Sequence, residues 1–320
     1  MRHLPAGAAV RVRSPASAAN LGPGFDSVGL ALGLWDEYDV VVTRDAGLLI
    51  EVSGEAAGDV PTDESHLVHR SMVRTFRELG VVTPPGLHVL ARNGVPHGRG
   101  LGSSATAIVA GVVAAQGLGA LAASARRDCG TAVPVDLARA NNLASELEGH
   151  PDNASASVFG GMTLSWTADP GTSRAGETST VSLTVHPTVT AVVFLPEARL
   201  ATHAARAVLP AWVAHRDAAL NSARAALLVE AVTRRPDLLL PATRDWLHQE
   251  ARRASFAPSM ALVDSLRSDG HAAVISGAGP SVLVLTTAGD AAQVLPRGGM
   301  AGWRRLEPGI PAAGATVTQI

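Results

Sequence analysis

The chain has 320 residues, 47% of them hydrophobic, a formal net charge of −2 and a single cysteine. That length implies about two domains with real cores, and the scattered, nearly balanced charges argue against nucleic acid or an anionic membrane as the main partner. Cys129 has no partner for an intrachain disulfide, and the start MRHLPAGAAVRVRSP lacks a signal peptide's apolar run, so a cytoplasmic protein is expected.

In chain order, AVRVRSP alternates as a strand does, and YDVVVTR and LLIEVSG read as further strands. Between the first two, SPASAANLGPGFDSVG (14–29) is dense in turn formers and predicts a tight loop carrying Asn20 and Asp26. DESHLVHRSMVRTFRELG has helical spacing and a glycine stop, and GLHVLAR is a strand. A long apolar helix follows. Residues 100–125 carry no charge and could span a bilayer by length, but their Gly, Ala and Ser content fits a helix buried inside a soluble domain.

VDLARANNLASELEG is a second helix in this half, with Asp136 at its start and Gly149 at its end, and GGMTLSW is a strand. The polar stretch 167–180 reads as a surface loop or linker, which sets the expected domains at 1–166 and 167–320. Beyond it VSLTVHP and TAVVFLP are strands, 200–233 and 258–269 are helices, and AAVISGAGPSVLVLT is strand, glycine turn, strand. Hairpin-like strand pairs mixed with helices predict α+β layers rather than a regular βαβ alternation.

The segment VPHGRGLGSSATAIVAG (95–111) looks like an anion-holding loop entering a helix. All 26 basic residues are arginine, so the lysine-dependent phosphate loop is excluded, and Gly98, Gly100 and Gly102 do not fit G-x-G-x-x-G. Glycines allow close backbone approach, and Ser103 or Ser104 is expected to cap the helix, whose free N–H groups attract an anion. A plain glycine turn with a serine cap is the alternative. EGHPDNASA presents His150, Asp152 and Asn153 in a turn after a helix, without metal-site spacing of histidines. SGAGPS (276–281) is a glycine-lined turn between apolar strands that suits either a simple β-turn or close approach to a ligand. A G-x-S-x-G elbow and a Schiff-base lysine are both missing.

Taken in chain order, SAANLGPGFDSVGLAL, PHGRGLGSSATA, EGHPDN and VISGAGPSVLVL resemble the GHMP kinase superfamily, most closely its homoserine kinases, from about Val10 to about Leu285. The resemblance implies a first domain like ribosomal protein S5 domain 2 and a ferredoxin-like second domain. It implies ATP and Mg²⁺ as cofactors, with Pro96, His97, Gly98, Arg99, Gly100, Leu101, Gly102, Ser103, Ser104, Ala105 and Thr106 around the triphosphate and Ser104 on the metal. Asn20, Asp26, His150, Asn153, Arg206 and Arg252 would line an L-homoserine pocket, with Asn153 and Arg206 acting in catalysis. An amide cannot take a proton, so direct phosphoryl transfer without a carboxylate base is expected, with Asp152 pointing elsewhere. A homodimer is the assembly the resemblance allows, with neither nucleic acid nor membrane as partner.

Two positions depart from the family pattern. Where a metal-binding Glu is usual, eleven residues before Asn153, stands Asn142; Glu146, one turn on, is the residue expected to restore the charge. Where the family has Asn near the adenine stands His66. These departures leave two alternatives: a divergent kinase for another small amino alcohol, or a non-catalytic nucleotide-binding homologue.

Overall fold

The computed structural model describes residues 2–123, 129–198 and 206–320. Strands β1 (Ala9–Asn20) and β2 (Gly24–Val42) form a long antiparallel pair, and β3 (Gly47–Gly54) lies parallel to β4 (Gly86–Asn93), which pairs with β2. β2 is long enough to branch the sheet. Glu37–Val42 pair with β4, while Val28–Leu30 pair with β5 (Met162–Thr167), which in turn pairs with β6 (Thr178–Leu183). The predicted loop at 14–29 is therefore mostly strand, and only Leu21–Pro23 turn between β1 and β2. Its alanines and serines are small because they pack: Ala16 and Ala18 are fully buried.

Helix α1 (Leu67–Leu79) stops at Gly80, whose φ of 62° places it in the left-handed region, as the sequence anticipated. Helix α2 (Ser103–Ala123) is long and apolar enough to cross a bilayer, yet 83% of its apolar window is buried inside the protein. Its packing is close: a Cβ on Gly111 would stand 2.4 Å from the Val68 carbonyl oxygen of α1. Helix α3 (Leu137–Glu148) is capped by Asp136, which accepts from the Arg139 N–H at 3.0 Å, and ends at Gly149. Helix α4 (Pro151–Phe159) follows at once.

The second sheet is four-stranded and antiparallel, built on β7 (Val189–Pro196), with β8 (Ala272–Ile275), β9 (Val282–Thr287) and β10 (Trp303–Leu306) in the order β10-β7-β9-β8. Its alternation is visible in what each face buries. Val189, Ala191, Val193 and Leu195 join a core with Leu228 and Val232 of α5 (His215–Thr233) and with Ala16, Ala18 and Leu30 of the first sheet. Val192 and Phe194 face Met260, Val263 and Leu266, which lie beyond the short helix α6 (Leu239–Ala242), on α7 (Ala257–Ser268). The first of these cores continues across both sheets.

Three expectations need correction. The strand predicted at 181–187 meets β6 only at 181–183 and belongs to the first sheet, and the final strand β11 (Thr316–Gln319) also returns to it, beside β1. The sheets thus do not divide at 166/167: a polar loop in sequence is here a hairpin connection, with Ala168 N–H bonded to the Glu177 carbonyl. The helix expected over 200–233 is broken: 206–207 are helical, 208–214 are turn and coil, a helix runs again from His215, and 200–205 lie outside the described residues.

Candidate active site

Four segments remote in sequence meet at one cavity. The glycine loop supplies Gly98, Gly100 and Gly102, with φ of 66°, 73° and 69°. A side chain at Gly100 would put its Cβ 2.3 Å from the Ser276 carbonyl oxygen, and one at Gly102 would put it 2.2 Å from Ser17 Oγ. Gly102, rather than a serine, takes the capping position of α2: its carbonyl accepts the Thr106 N–H at 2.8 Å. Ser103 and Ser104 are consequently the first helical residues, and the Ser104 hydroxyl is free to serve another group. The first N–H groups of α2 have no partners within the helix and face this loop.

The loop is held from both sides. Asp36, fully buried, accepts the N–H groups of Gly94 and Val95 at 2.8 and 2.9 Å and the Tyr38 hydroxyl at 3.1 Å. Burial pushes its carboxyl up to about 6, against those three donors. From the second sheet, Ser276 donates to the Gly100 carbonyl at 2.7 Å and the Gly277 N–H bonds the Ala19 carbonyl at 3.1 Å. The SGAGPS turn is thus a clamp on the glycine loop as well as a cavity wall.

Around the β1–β2 turn, Asn20, Leu21 and Asp26 all have positive φ, 71°, 46° and 55°. Asn20 bridges the turn, donating Nδ2–H to the Gly277 carbonyl at 3.1 Å and accepting the Asp26 N–H at 3.0 Å. It borders the cavity while both ends of its amide hold the protein together. Arg206 meets the Asp26 carboxylate at two points, 2.7 and 3.0 Å, and this hydrogen bonding raises the Arg206 pKa. Arg206 and Arg252 each lie 5.5 Å from the centre of the Phe25 ring. Burial, followed by the charge of Arg206, lowers the Arg252 pKa.

His150 and the buried Asp152 form a partly buried pair at 2.8 Å. Burial works against a charged His150, but the hydrogen bond and charge of Asp152 prevail and raise its pKa. Asp152, only 2% exposed, borders the cavity, but its Oδ1 is committed to His150 and to the Asn153 N–H at 2.8 Å. Asn153 Oδ1 accepts from Ser17 Oγ at 3.1 Å, which leaves its Nδ2–H donors for a ligand beside the glycine loop.

The acid beside Ser104 is one the sequence reading passed over. Ser104 Oγ donates to Glu148 at 2.5 Å, and burial raises the Glu148 pKa in spite of that bond. Asn142 instead accepts the Thr178 N–H at 2.9 Å, and Glu146 pairs with Arg74 at 3.2 Å. Both metal candidates on α3 therefore face elsewhere. Two residues advance a helix by roughly 200°, so Glu148 stands nearly opposite Glu146. Its place at the helix end, two residues before His150, was the available signal.

A second, more apolar cavity adjoins Ser103 and Ser104, with Val60, Pro61 and Leu67 in its wall. His66 is 5% exposed there, and its Nδ1 has no hydrogen-bond partner; neither has Oδ1 of Asn93, 6% exposed, in the same wall. Burial lowers the His66 pKa, so the ring is neutral at pH 7.

Residues 66–161 match the family model for the GHMP kinases N-terminal domain and residues 223–297 the one for the GHMP kinases C-terminal domain. The chain is similar to a homoserine kinase of Streptomyces coelicolor, 49% identical over 310 residues, covering 97% of this chain and 94% of that protein. A homoserine kinase of Rhodococcus erythropolis is 49% identical over 285 residues, 89% of this chain and 88% of its own. Among solved structures, the homoserine kinase of Cytophaga hutchinsonii superposes with a TM-score of 0.81 at 25% identity, covering 97% of each chain.

Proposed function

The chain belongs to the GHMP kinase family, on its homoserine kinase branch, and from that premise we propose that it transfers the γ-phosphoryl group of ATP to the side-chain hydroxyl of L-homoserine. The products are ADP and O-phospho-L-homoserine. The observation that carries this reading is the meeting of Asp26, Arg206, Arg252 and Asn153 in one cavity with the glycine loop and Ser104. One carboxylate and two guanidinium groups suit the ammonium and carboxylate of an amino acid, and the loop suits a phosphate.

Backbone N–H groups of the loop and the start of α2 take the place of the missing lysine in holding the triphosphate. The adenine lies in the adjoining apolar cavity, where the unpartnered His66 Nδ1 and Asn93 Oδ1 are suited to a base with both donors and acceptors. Ser104 Oγ and Glu148 give two hard oxygen ligands beside the phosphate loop, a set that fits Mg²⁺, which keeps waters and takes substrate phosphates. Bound there, the metal would neutralise charge on the transferring phosphoryl group. The first sheet with its helices holds the nucleotide, and the later half of the chain completes the acceptor pocket through Arg206, Arg252 and the 276–281 turn.

Phosphoryl transfer asks mainly for alignment and charge stabilisation. Asp26 and the two arginines fix the amino-acid head, and the Asn153 Nδ2–H donors orient the hydroxyl. As the O–P bond forms and the bond to the ADP oxygen breaks, the hydroxyl proton passes to a phosphoryl oxygen or to solvent. Asp152 keeps its carboxylate on His150 and the start of α4.

The test is ADP release from ATP and Mg²⁺ with L-homoserine, L-threonine, L-serine or no acceptor, with phosphorus NMR of the product. Homoserine-dependent turnover giving a phosphate monoester supports the reading. Turnover with another acceptor alone, or with none, overturns it.

A further inference from the structure

Asp26 and Arg206 occupy each other in the cavity. Their contact is two-pointed, at 2.7 and 3.0 Å, yet the side chains remain 34% and 43% exposed. Asp26 is anchored by its own backbone, with φ of 55° and its N–H on Asn20. Arg206 rests over the Phe25 ring at the same 5.5 Å as Arg252. A partly exposed pair of this kind is weakly held, because water competes for both ions.

We propose that this pair is a placeholder that an amino-acid zwitterion enters by exchange. The proposal rests on the homoserine kinase reading for its natural occupant and deepens it to a rule of selection. The incoming ammonium takes the Asp26 carboxylate, the incoming carboxylate takes Arg206 alongside Arg252, and every charge keeps a partner. A ligand with only one of the two charged groups breaks the pair but satisfies half of it, stranding the other ion in a partly desolvated wall. Selection for α-amino acids then comes from the internal ion pair as much as from contacts with the ligand.

This has a consequence that simple contact does not. If Asp26 only attracted ammonium groups, removing its charge would help a carboxylate only by relieving repulsion, a gain that added salt screens away. If it also occupies Arg206, removing its charge frees that arginine for carboxylates.

The experiment measures dissociation constants by calorimetry for L-homoserine, 4-hydroxybutanoate (homoserine without the ammonium) and 3-aminopropan-1-ol (homoserine without the carboxylate). The proteins are wild type, Asp26→Asn, whose new residue tolerates the positive φ, and Arg206→Gln. The exchange predicts a crossover. Asp26→Asn binds 4-hydroxybutanoate about 5-fold or more tightly than wild type, and Arg206→Gln does the same for 3-aminopropan-1-ol, while both bind homoserine roughly 30-fold more weakly. If neither analogue gains affinity in its matched variant, or if the gains vanish at about 1 M salt, where through-space repulsion is screened, the placeholder is wrong. Gain in one variant alone, with the other folded by circular dichroism, confines the exchange to that ion and rejects the pairwise rule. Because binding is read without turnover, a crossover in a protein that does not phosphorylate homoserine would sink the kinase reading and leave the exchange standing.

Discussion

His248 Nδ1 lies 3.1 Å from Arg252 Nη1, while His248 Nε2 lies 2.9 Å from the Gly22 carbonyl oxygen. A carbonyl only accepts, so Nε2 carries the proton and Nδ1 accepts from the arginine. Burial lowers the His248 pKa and holds the ring in this neutral form. The turn beneath is organised by Asp245, whose carboxylate accepts the N–H groups of Leu247, His248 and Gln249 at 3.1, 3.0 and 2.7 Å. One imidazole thereby ties the β1–β2 turn, which presents Phe25 and Asp26, to the arginine that stacks on Phe25.

His248 is accordingly a positioning residue for the acceptor pocket. His248→Ala is expected to raise KM for homoserine about 10-fold, with kcat and KM for ATP changed less than about 2-fold. His248→Asn, which restores a polar acceptor, should recover part of the loss. Equal effects on both substrates would point to general damage instead.

Glu148, and neither Asn142 nor Glu146, should govern the metal dependence. Glu148→Gln is expected to raise the Mg²⁺ concentration for half-maximal activity and to lower kcat by about 100-fold. Glu146→Gln, which breaks an exposed pair with Arg74, should stay within about 2-fold of wild type. Asn142→Glu should not tighten Mg²⁺ binding, and it should cost some stability because a longer, charged side chain replaces the fitted amide acceptor of the Thr178 N–H. Magnesium titrations of steady-state rates decide all of these.

Asn153→Ala should lower kcat by about 100-fold with a smaller change in KM for ATP, since an orienting group is lost at the acceptor. Asp152→Asn should lower turnover less than Asn153→Ala does, because Asp152 is engaged with His150 and α4. If Asn153→Ala kept full turnover while Asp152→Asn abolished it, direct transfer would be the wrong description.

Asp36 makes a signed prediction about stability and pH. Its folded pKa, pushed up to about 6, lies above an unfolded value of about 3.9. The folded protein therefore binds the proton more tightly. Its contribution to stability is present in full below about pH 4 and is lost as pH rises through 6, by roughly 3 kcal/mol. Urea unfolding of wild type and Asp36→Asn between pH 4 and 7 isolates this group. The wild type should lose stability relative to the variant across that interval, and a flat difference would contradict the assignment.

Much of the local structure was legible in the chain. Gly80 and Gly149 ended helices where the spacing said they would, because a left-handed residue is favourable at that position and glycine adopts it freely. The apolar α2 read as a core helix, and the glycine run as a loop that admits close approach, since both depend on side-chain size and chain conformation within a short stretch. The alternating strands β7 and β9 were equally plain. Residues 14–29 were not: their alanines and serines are poor strand formers taken alone, and they become strand only because β1 and β2 pair along that length.

The composition of the site was written in short motifs, and its assignments were decided by packing. Helical phase says that Asn142 and Glu146 share one side of α3 and Glu148 another, but which side meets Ser104 depends on how α3 docks beside α2. Likewise β6 and β11 join the first sheet because their hydrogen-bonding edges are met there, across many residues of intervening chain. Arg206, Arg252 and His248 lie far along the chain from Phe25, and nothing in their own neighbourhoods marks them as its partners. Helix ends, helix phase and the turns of the glycine loop are set by residues close in sequence, so the sequence alone determined them. Which charge faces which is set by the burial of surfaces distant in the chain, and only the tertiary structure decided it.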